Sequence, residues 1–287
     1  TLTELAWDDT PLAECRVPCE VEDALDARRR FLAAARAAPT PLGLDSVEAR
    51  AWQIMVTGGE AMTRRDWPQI VAAAAASGMR VGMVTNGLLL SRDAANQARD
   101  AGLGAVGISV DGIGATHDRI RGLAGHFARV ERAIDAAQDS GLKVAIITHL
   151  NRDNLGELEQ IHALARDRGA YAWQVQTGMD LGNLADRPRL LMGNADLIRA
   201  ERLLGGLVRR GEVVIAACNS LGYFGPFERA LRRGLGGDEF GGCPAGLRTL
   251  GIESNGNVKG CLAMLPGDDP RAAPFVEGNV REAHLGE

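Results

Sequence analysis

Five cysteines, Cys15, Cys19, Cys218, Cys243 and Cys261, carry the most reactive side chains of this 287-residue chain. Thiolates attack electrophiles and bind soft metals, so their spacing decides what they can do. The number is odd and the chain long, with no export signal, which disfavours a disulfide framework and leaves metal binding or plain burial. Cys15 and Cys19 stand in a C-x3-C spacing, with Glu22 three residues further on. Two ordinary thiols would have the same spacing. Cys218, at the end of a predicted strand, reads as a buried small residue. The histidines, His117, His126, His149, His162 and His284, show no metal-ligand spacing; His149 ends a predicted strand and is a candidate to line a cavity.

A second concentration of chemistry is polar. Thr57-Gly58-Gly59-Glu60, Thr85-Asn86-Gly87, Ser109-Val110-Asp111-Gly112, Thr148-His149 and Gln174-Val175-Gln176-Thr177-Gly178 each follow or close a short apolar segment. Glycine, asparagine and aspartate form turns readily, so any one of these clusters is explained as a loop. Five in succession at corresponding places point to one shared face. Gly102, Gly104 and Gly107 form a literal G-x-G-x-x-G, but it follows a helix and enters a strand, the reverse of a dinucleotide site.

The elements that must position these residues alternate regularly. Extended segments are predicted near 51–57, 80–85, 105–110, 142–149, 171–176 and 212–217, and helices near 21–38, 65–78, 91–101, 125–140, 155–168 and 196–210. Gly78, Gly102, Gly141, Gly169 and Gly211 close helices, and Asn154 and Asn194 are expected N-caps. Six such units predict an α/β fold, a partial (β/α)6 TIM-like barrel, against a doubly wound open sheet as the competing architecture. In a barrel the polar clusters fall at the C-terminal strand ends, where sites are built. From about Pro226 the pattern breaks, and Asn255-Gly256 between two extended segments predicts a β-hairpin. The expected domains are a core over 1–225 and a small C-terminal unit over 235–287, with Val280 to Glu287 starting a helix.

Composition sets the outer bounds. Hydrophobic residues are 46% and charged residues 24%, which supports a full core and excludes a disordered or collagenous chain. Aromatic residues are 4%, so that core rests on Ala, Leu, Val and Ile. Net charge is −5 and no long basic cluster is present, so a nucleic-acid partner is not expected. No apolar run approaches the ~20 residues of a membrane span, and the acidic start lacks a secretory layout. A soluble, cytoplasmic protein without a membrane partner is expected. The absence of an initiating methionine suggests a trimmed chain.

From about Val56 onward, the order of motifs resembles the radical S-adenosylmethionine (radical SAM) enzymes that carry a C-terminal SPASM or twitch extension. The pieces are VTGGEAMTRRDW, VTNGLLL, ISVDG, THDRIRG and WQVQTG, then GYFGPFERALR, CPAGLRTLGIESNGNVKGCL and FVEGNVRE. The resemblance implies S-adenosylmethionine and a 4Fe-4S cluster as cofactors, with an auxiliary iron–sulfur cluster possible. It implies reductive cleavage of S-adenosylmethionine to a 5′-deoxyadenosyl radical and hydrogen abstraction from a substrate expected to be a peptide, as such relatives most often modify peptides and sometimes tetrapyrroles or other small molecules. An electron donor such as a flavodoxin or ferredoxin is implied as a partner.

Carried over by position, Gly58, Gly59 and Glu60 would hold the amino group of S-adenosylmethionine. Ser109 and Asp111 would face its ribose, Asn86 would line the same floor, and Arg121 or Arg119 would pair with its carboxylate. Cys15 and Cys19 match the first spacing of the family's C-x3-C-x2-C cluster motif, and Glu22 occupies the third position. Three explanations compete: an unusual carboxylate ligand, a degenerate non-catalytic peptide-binding barrel, or segments joined across missing residues. Cys243, followed after 12 residues by Gly256 and after four more by Cys261, matches the opening of the SPASM motif, and both are candidate auxiliary-cluster ligands. Ala61 replaces the proline that usually follows Gly-Gly-Glu. Gln174 and Gln176 share side-chain parity and are candidate substrate contacts, or equally barrel-interior hydrogen-bonders. A barrel hydrolase or aldolase would need a lysine or an acid pair inside the strands, and the strand ends offer little of either.

Overall fold

Strands buried on both faces need apolar residues at every position, and the short Val-, Ile- and Met-rich runs of this chain satisfy that requirement. The computed structural model describes residues 13–16, 52–178, 184–218, 221, 225–233, 243, 245–246, 249–263 and 274–282. Its strands are β1 (Ala13–Arg16), β2 (Trp52–Val56), β3 (Arg80–Thr85), β4 (Leu103–Ser109), β5 (Lys143–Leu150), β6 (Ala172–Thr177), β7 (Val214–Ala217), β8 (Thr249–Ile252), β9 (Asn257–Lys259) and β10 (Gly278–Asn279). The helices between them are α1 (Trp67–Ala76), α2 (Arg92–Asp100), α3 (Ala115–Arg121), α4 (His126–Asp139), α5 (Leu158–Asp167), α6 (Asn194–Arg210) and α7 (Glu228–Arg233).

Strands β1 to β7 lie side by side in chain order, every pairing parallel, and β8, β9 and β10 extend the sheet from the β1 edge. A doubly wound sheet reverses its strand order near the middle, whereas this order never reverses. The crossovers therefore place all helices on one side, as in a partial barrel. Alternate strand residues confirm two distinct layers. Ile54, Val81, Met83, Val106, Ile108, Ile146 and Trp173 pack with helix residues such as Val71, Ala98, Ile134, Ile161 and Leu204 in the large outer core. Met55, Ala145, Ile147, Ala172 and Ala216 form a smaller cluster on the inner face. Met55 fills the space over Gly82, where a Cβ would lie 2.4 Å from its Sδ.

The six predicted strands correspond to β2 through β7, and five predicted helices to α1, α2, α4, α5 and α6. The helix expected at 21–38 lies outside the described residues. Gly78, Gly102, Gly141, Gly169 and Gly211 all have positive φ just beyond helix ends, as expected of C-cap glycines. The two N-cap expectations need correction. Asn194 is the first residue of α6, whose cap is Gly193, with the Asp196 carboxylate accepting from Gly193 N–H at 3.0 Å. Asn154 precedes a short 3-10 turn without capping it, because its amide is turned toward the strand ends. Strand β1 and helices α3 and α7 are additions to the sequence reading.

The Asn255-Gly256 hairpin is present: β8 and β9 pair antiparallel, and Gly256 has φ +92°, a conformation that disfavours any side chain. Strand β8 also pairs parallel with β1, so the hairpin continues the barrel sheet. Val280–Glu282 form a turn, and the residues after 282 lie outside the described set.

Candidate functional site

The polar clusters stand at the C-terminal ends of β2 to β6, and hydrogen bonds join them from strand to strand. Gly58 and Gly59 follow β2 at the surface, with nothing within 4 Å of where a Cβ would sit. Glu60 closes that loop. Its Oε1 accepts from the Thr85 hydroxyl at 2.9 Å and from Met62 N–H at 3.2 Å, and its Oε2 accepts from Asn86 N–H at 2.8 Å. The carboxylate that the sequence assigned to a ligand ammonium therefore already ties the loop after β2 to the end of β3. Asn86 makes a local turn with its side chain, Oδ1 accepting from Leu88 N–H at 2.8 Å.

The loop after β4 is the most densely tied. Asp111 is buried, and its Oδ2 lies 2.7 Å from Arg121 Nε, while its Oδ1 accepts from His149 N–H at 2.8 Å. Arg121, on α3, is thus directed at Asp111. The sequence had assigned these two residues separately to ribose and carboxylate; the structure pairs them with each other. Arg119 points elsewhere, toward Asp153 at 3.4 Å. Ser109 closes β4, largely buried, and its hydroxyl has no hydrogen-bond partner among the described residues. Gly112 is required here: its φ is +151°, and a Cβ would meet Thr116 Cγ2 at 2.7 Å and His117 N at 3.0 Å.

Supporting residues whose role the sequence did not indicate surround this loop. Asn154, fully buried, donates from Nδ2 to the carbonyls of Asp111 (3.0 Å) and His149 (2.8 Å). Glu157 accepts from Ile113 N–H at 2.7 Å and from the Thr116 hydroxyl at 2.6 Å. His117 accepts Asp111 N–H on Nδ1 at 3.0 Å. Thr148 donates to the Val110 carbonyl at 2.7 Å and accepts from the Trp173 indole at 2.8 Å, joining β4, β5 and β6 below the loops. Their pairings are not encoded in local pattern, because the partners are 5 to 44 positions away in sequence.

On β5 and β6 the register places His149 beside Gln176, and Gln174 between Ile147 and Ala216. Gln174 and Gln176 do share a face, and both reach one thiol. Gln174 Nε2 lies 3.1 Å from Cys218 Sγ, and Sγ lies 3.9 Å from Gln176 Oε1. Cys218 is half-buried rather than fully buried, because it stands just past β7. Gln174 itself is buried, and its Oε1 has no partner among the described residues. His149 lines a cavity of about 70 Å³ with Leu150, Thr177, Leu184 and Met192. Burial holds its imidazole below the ordinary histidine pKa, against the pull of Asp111 and with a further push from Arg121. Gly178 leaves room for that ring: a Cβ there would lie 2.2 Å from His149 Nε2.

The candidate metal ligands fall into two sets. Cys15 is within β1, at the register position of Ile54 and Leu250, while Cys19 and Glu22 lie outside the described residues. Cys243 is exposed and Cys261 half-buried, neither in a disulfide. The Gly246 N–H donates to the Gly260 carbonyl at 3.2 Å, so the segments just after Cys243 and just before Cys261 lie against each other. Among the described residues no group of three or more His, Cys, Asp or Glu is gathered for a metal, and no helix is long and apolar enough to cross a membrane.

Comparison with known proteins agrees with this geometry. Residues 44–165 match the model of the radical SAM superfamily. That family uses S-adenosylmethionine and a 4Fe-4S cluster. Fe-coproporphyrin III synthase of Methanosarcina barkeri is 36% identical over 114 residues, covering 40% of this chain and 29% of that protein. The AdoMet-dependent heme synthase of Oleidesulfovibrio alaskensis is 31% identical over 182 residues, covering 60% of this chain and 44% of its own length. The chain thus spans less than half the length of these curated relatives. Streptococcus suis SuiB, solved with S-adenosylmethionine, superposes with a TM-score of 0.68 at 14% identity, over 96% of this chain and 63% of SuiB. anSMEcpe with bound AdoMet and a peptide gives 0.65 at 15% identity, over 96% of this chain and 78% of that one. At such identities these structures establish the fold alone.

Proposed function

We propose, from the radical SAM match at residues 44–165, that this chain binds S-adenosylmethionine at the strand ends of β2 to β4 and acts as a radical SAM enzyme on a tetrapyrrole. The observation that carries the cofactor reading is the open edge left among otherwise satisfied groups. Gly58 and Gly59 present uncrowded backbone, and the Ser109 hydroxyl, on the strand two places along, has no hydrogen-bond partner among the described residues. These residues fit a ligand offering an ammonium and hydroxyls. When bound, the cluster and S-adenosylmethionine supply one-electron cleavage and a 5′-deoxyadenosyl radical that abstracts hydrogen. The chain's own work is to orient the cofactor over rigid strand ends and keep water out. Glu60 and Asp111 act here by fixing loops, since their oxygens are held by protein donors.

The tetrapyrrole is favoured over a peptide because the relatives at 31–36% identity are named for tetrapyrrole chemistry, whereas the peptide-bound neighbours stand at 13–15%. Gln174, Gln176 and His149 line the inner mouth as candidate substrate contacts. Cys15 and Cys19 are the cluster thiolates in this reading. With Glu22 in the third position, the donor set of the described motif has one carboxylate in place of a thiolate. Cys243 and Cys261, which flank backbone segments hydrogen-bonded through Gly246 and Gly260, are proposed as auxiliary-cluster ligands in a unit over 235–287 that follows the core over 1–225. The electron donor is a flavodoxin or ferredoxin.

The test is anaerobic reconstitution with iron and sulfide, reduction, and electron paramagnetic resonance with and without S-adenosylmethionine. A four-iron signal that changes on adding the cofactor, with 5′-deoxyadenosine formed, supports the enzyme. No such signal from protein of confirmed intact mass refutes it and favours the non-catalytic binding barrel that Glu22 suggests. A Cys243→Ser, Cys261→Ser protein is expected to lose iron while keeping the cofactor-responsive signal.

A further inference from the structure

We infer that His117 and His126 form a tautomer-locked imidazole pair that clamps the loop after β3 to the loop after β4, a role resting on the reading of those loops as the cofactor floor. Both rings are buried, His117 on α3 and His126 as the first residue of α4. The Asp111 amide can only donate, and it lies 3.0 Å from His117 Nδ1, so Nδ1 carries a lone pair and the proton sits on Nε2. The Asn86 carbonyl can only accept, and it lies 2.9 Å from His126 Nε2, so that nitrogen carries a proton, and Nδ1 of the Nε2–H tautomer offers a lone pair.

The two nitrogens left over, His117 Nε2 and His126 Nδ1, are both buried without a partner among the described residues. The tautomers make one a donor and the other an acceptor. They belong to rings in contact, with centroids 4.7 Å apart at an interplanar angle of 63°. A hydrogen bond between them, direct or through one water, would satisfy two buried groups at once. The result is a line of contacts across three strand ends: Glu60 to Asn86, Asn86 to His126, His126 to His117, His117 to Asp111, and Asp111 to Arg121. Glycine-rich loops have no side chains of their own to set such spacing, so the histidines are positioning residues for the site.

The charged state is incompatible with this arrangement, because a second ring proton on His117 would face the Asp111 N–H. Burial opposes that proton and brings His117 down to about 4; Asp111 and Asp118 favour it, and His126 and Arg121 disfavour it.

The test uses the whole protein and begins without ligand. Nitrogen-15 NMR of the imidazoles is expected to show His117 neutral at pH 7 with its proton on Nε2, and His126 with a proton on Nε2. An Nδ1–H tautomer of His117, a charged His117 ring, or a His126 Nε2 without a proton overturns the clamp. Exchange of the Asp111 amide is expected to speed up by about tenfold or more in His117→Leu and to return near wild type in His117→Asn, whose Oδ1 can stand in for Nδ1. An unchanged rate in His117→Leu overturns the proposal; if that variant does not fold, the wild-type tautomers decide alone. S-adenosylmethionine affinity, measured by calorimetry, is expected to fall about tenfold in His117→Leu and to recover in His117→Asn. Equal affinities refute the positioning role. A wild-type protein that binds no S-adenosylmethionine refutes the cofactor reading instead, while the tautomers and amide exchange still decide the clamp.

Discussion

Replacing Asp111 by asparagine separates two accounts of the loop after β4. In the first, Asp111 and Arg121 hold each other; in the second, each waits for a ligand. The carboxylate is 4% exposed and the guanidinium 29%, with 2.7 Å between Oδ2 and Nε. Breaking a fully buried pair by removing one charge costs about 3–5 kcal/mol, and an exposed pair is worth about 1 kcal/mol or less. With one partner buried and the other partly wet, Asp111→Asn should cost about 2–3 kcal/mol. Asparagine keeps an oxygen for His149 N–H but turns an NH2 toward the Arg121 donor, so the variant contains two donors face to face. Arg121→Met retains the apolar stem and removes that conflict. The double variant should then be no less stable than Asp111→Asn alone, with a coupling of about 1.5–2.5 kcal/mol in the cycle. Urea unfolding of the four proteins gives the number. Additive effects, with a coupling below about 0.5 kcal/mol, would sink the mutual-support account, and a loss confined to ligand affinity would favour the second.

Two further outcomes follow from buried groups near the same loop. Thr148→Val keeps the shape but leaves the Trp173 indole N–H and the Val110 carbonyl without their shared partner, an expected loss of about 2–4 kcal/mol. Thr148→Ser, which keeps both bonds and loses one methyl, should cost about 1 kcal/mol, and equal losses in urea unfolding would contradict the relay. The second concerns acid. His117 has a folded pKa lowered to about 4 from 6.5, so between those values the unfolded chain binds the proton and the native one does not. Stability therefore falls as pH drops from about 6.5 to about 4 and stops falling on this account below that, for a total of about 2–3 kcal/mol. Half-buried His149 and buried His162, also lowered, add slope of the same sign. His117→Asn should flatten the profile by its own share only, and an unchanged slope would show that His117 is not the group responsible.

Much of the fold was legible because parallel strands covered on both faces must be apolar throughout, and helices that end on αL glycines announce their ends. What stayed hidden depends on partners distant in sequence. Strand β1, AECR, has no strand-like pattern; it is extended because β2 lies on one side of it and β8, from the far end of the chain, on the other. Helix α3 is seven residues between Gly114 and Gly122 with only His117 buried, too short and too polar to show a helical period. Its existence matters, since it carries both His117 and Arg121 to the site.

The site divides along the same line. Which residues gather at the strand ends follows from local pattern, and Gly58, Glu60, Asn86, Ser109, Asp111, Gln174 and Gln176 all stand there. What each one does there depends on reach, which spacing does not encode. The family resemblance implies that Glu60 and Asp111 face the ligand, and in the structure their carboxylates accept from Thr85, Asn86, Met62, Arg121 and His149. The groups still open are Gly58 and Gly59 backbone, the Ser109 hydroxyl, the Gln174 carboxamide oxygen and the His149 ring. A rigid, self-satisfied frame with a few open neutral groups favours orientation over charge neutralisation. Radical chemistry needs that, because a carbon-centred radical is uncharged and is controlled by distance and exclusion of water.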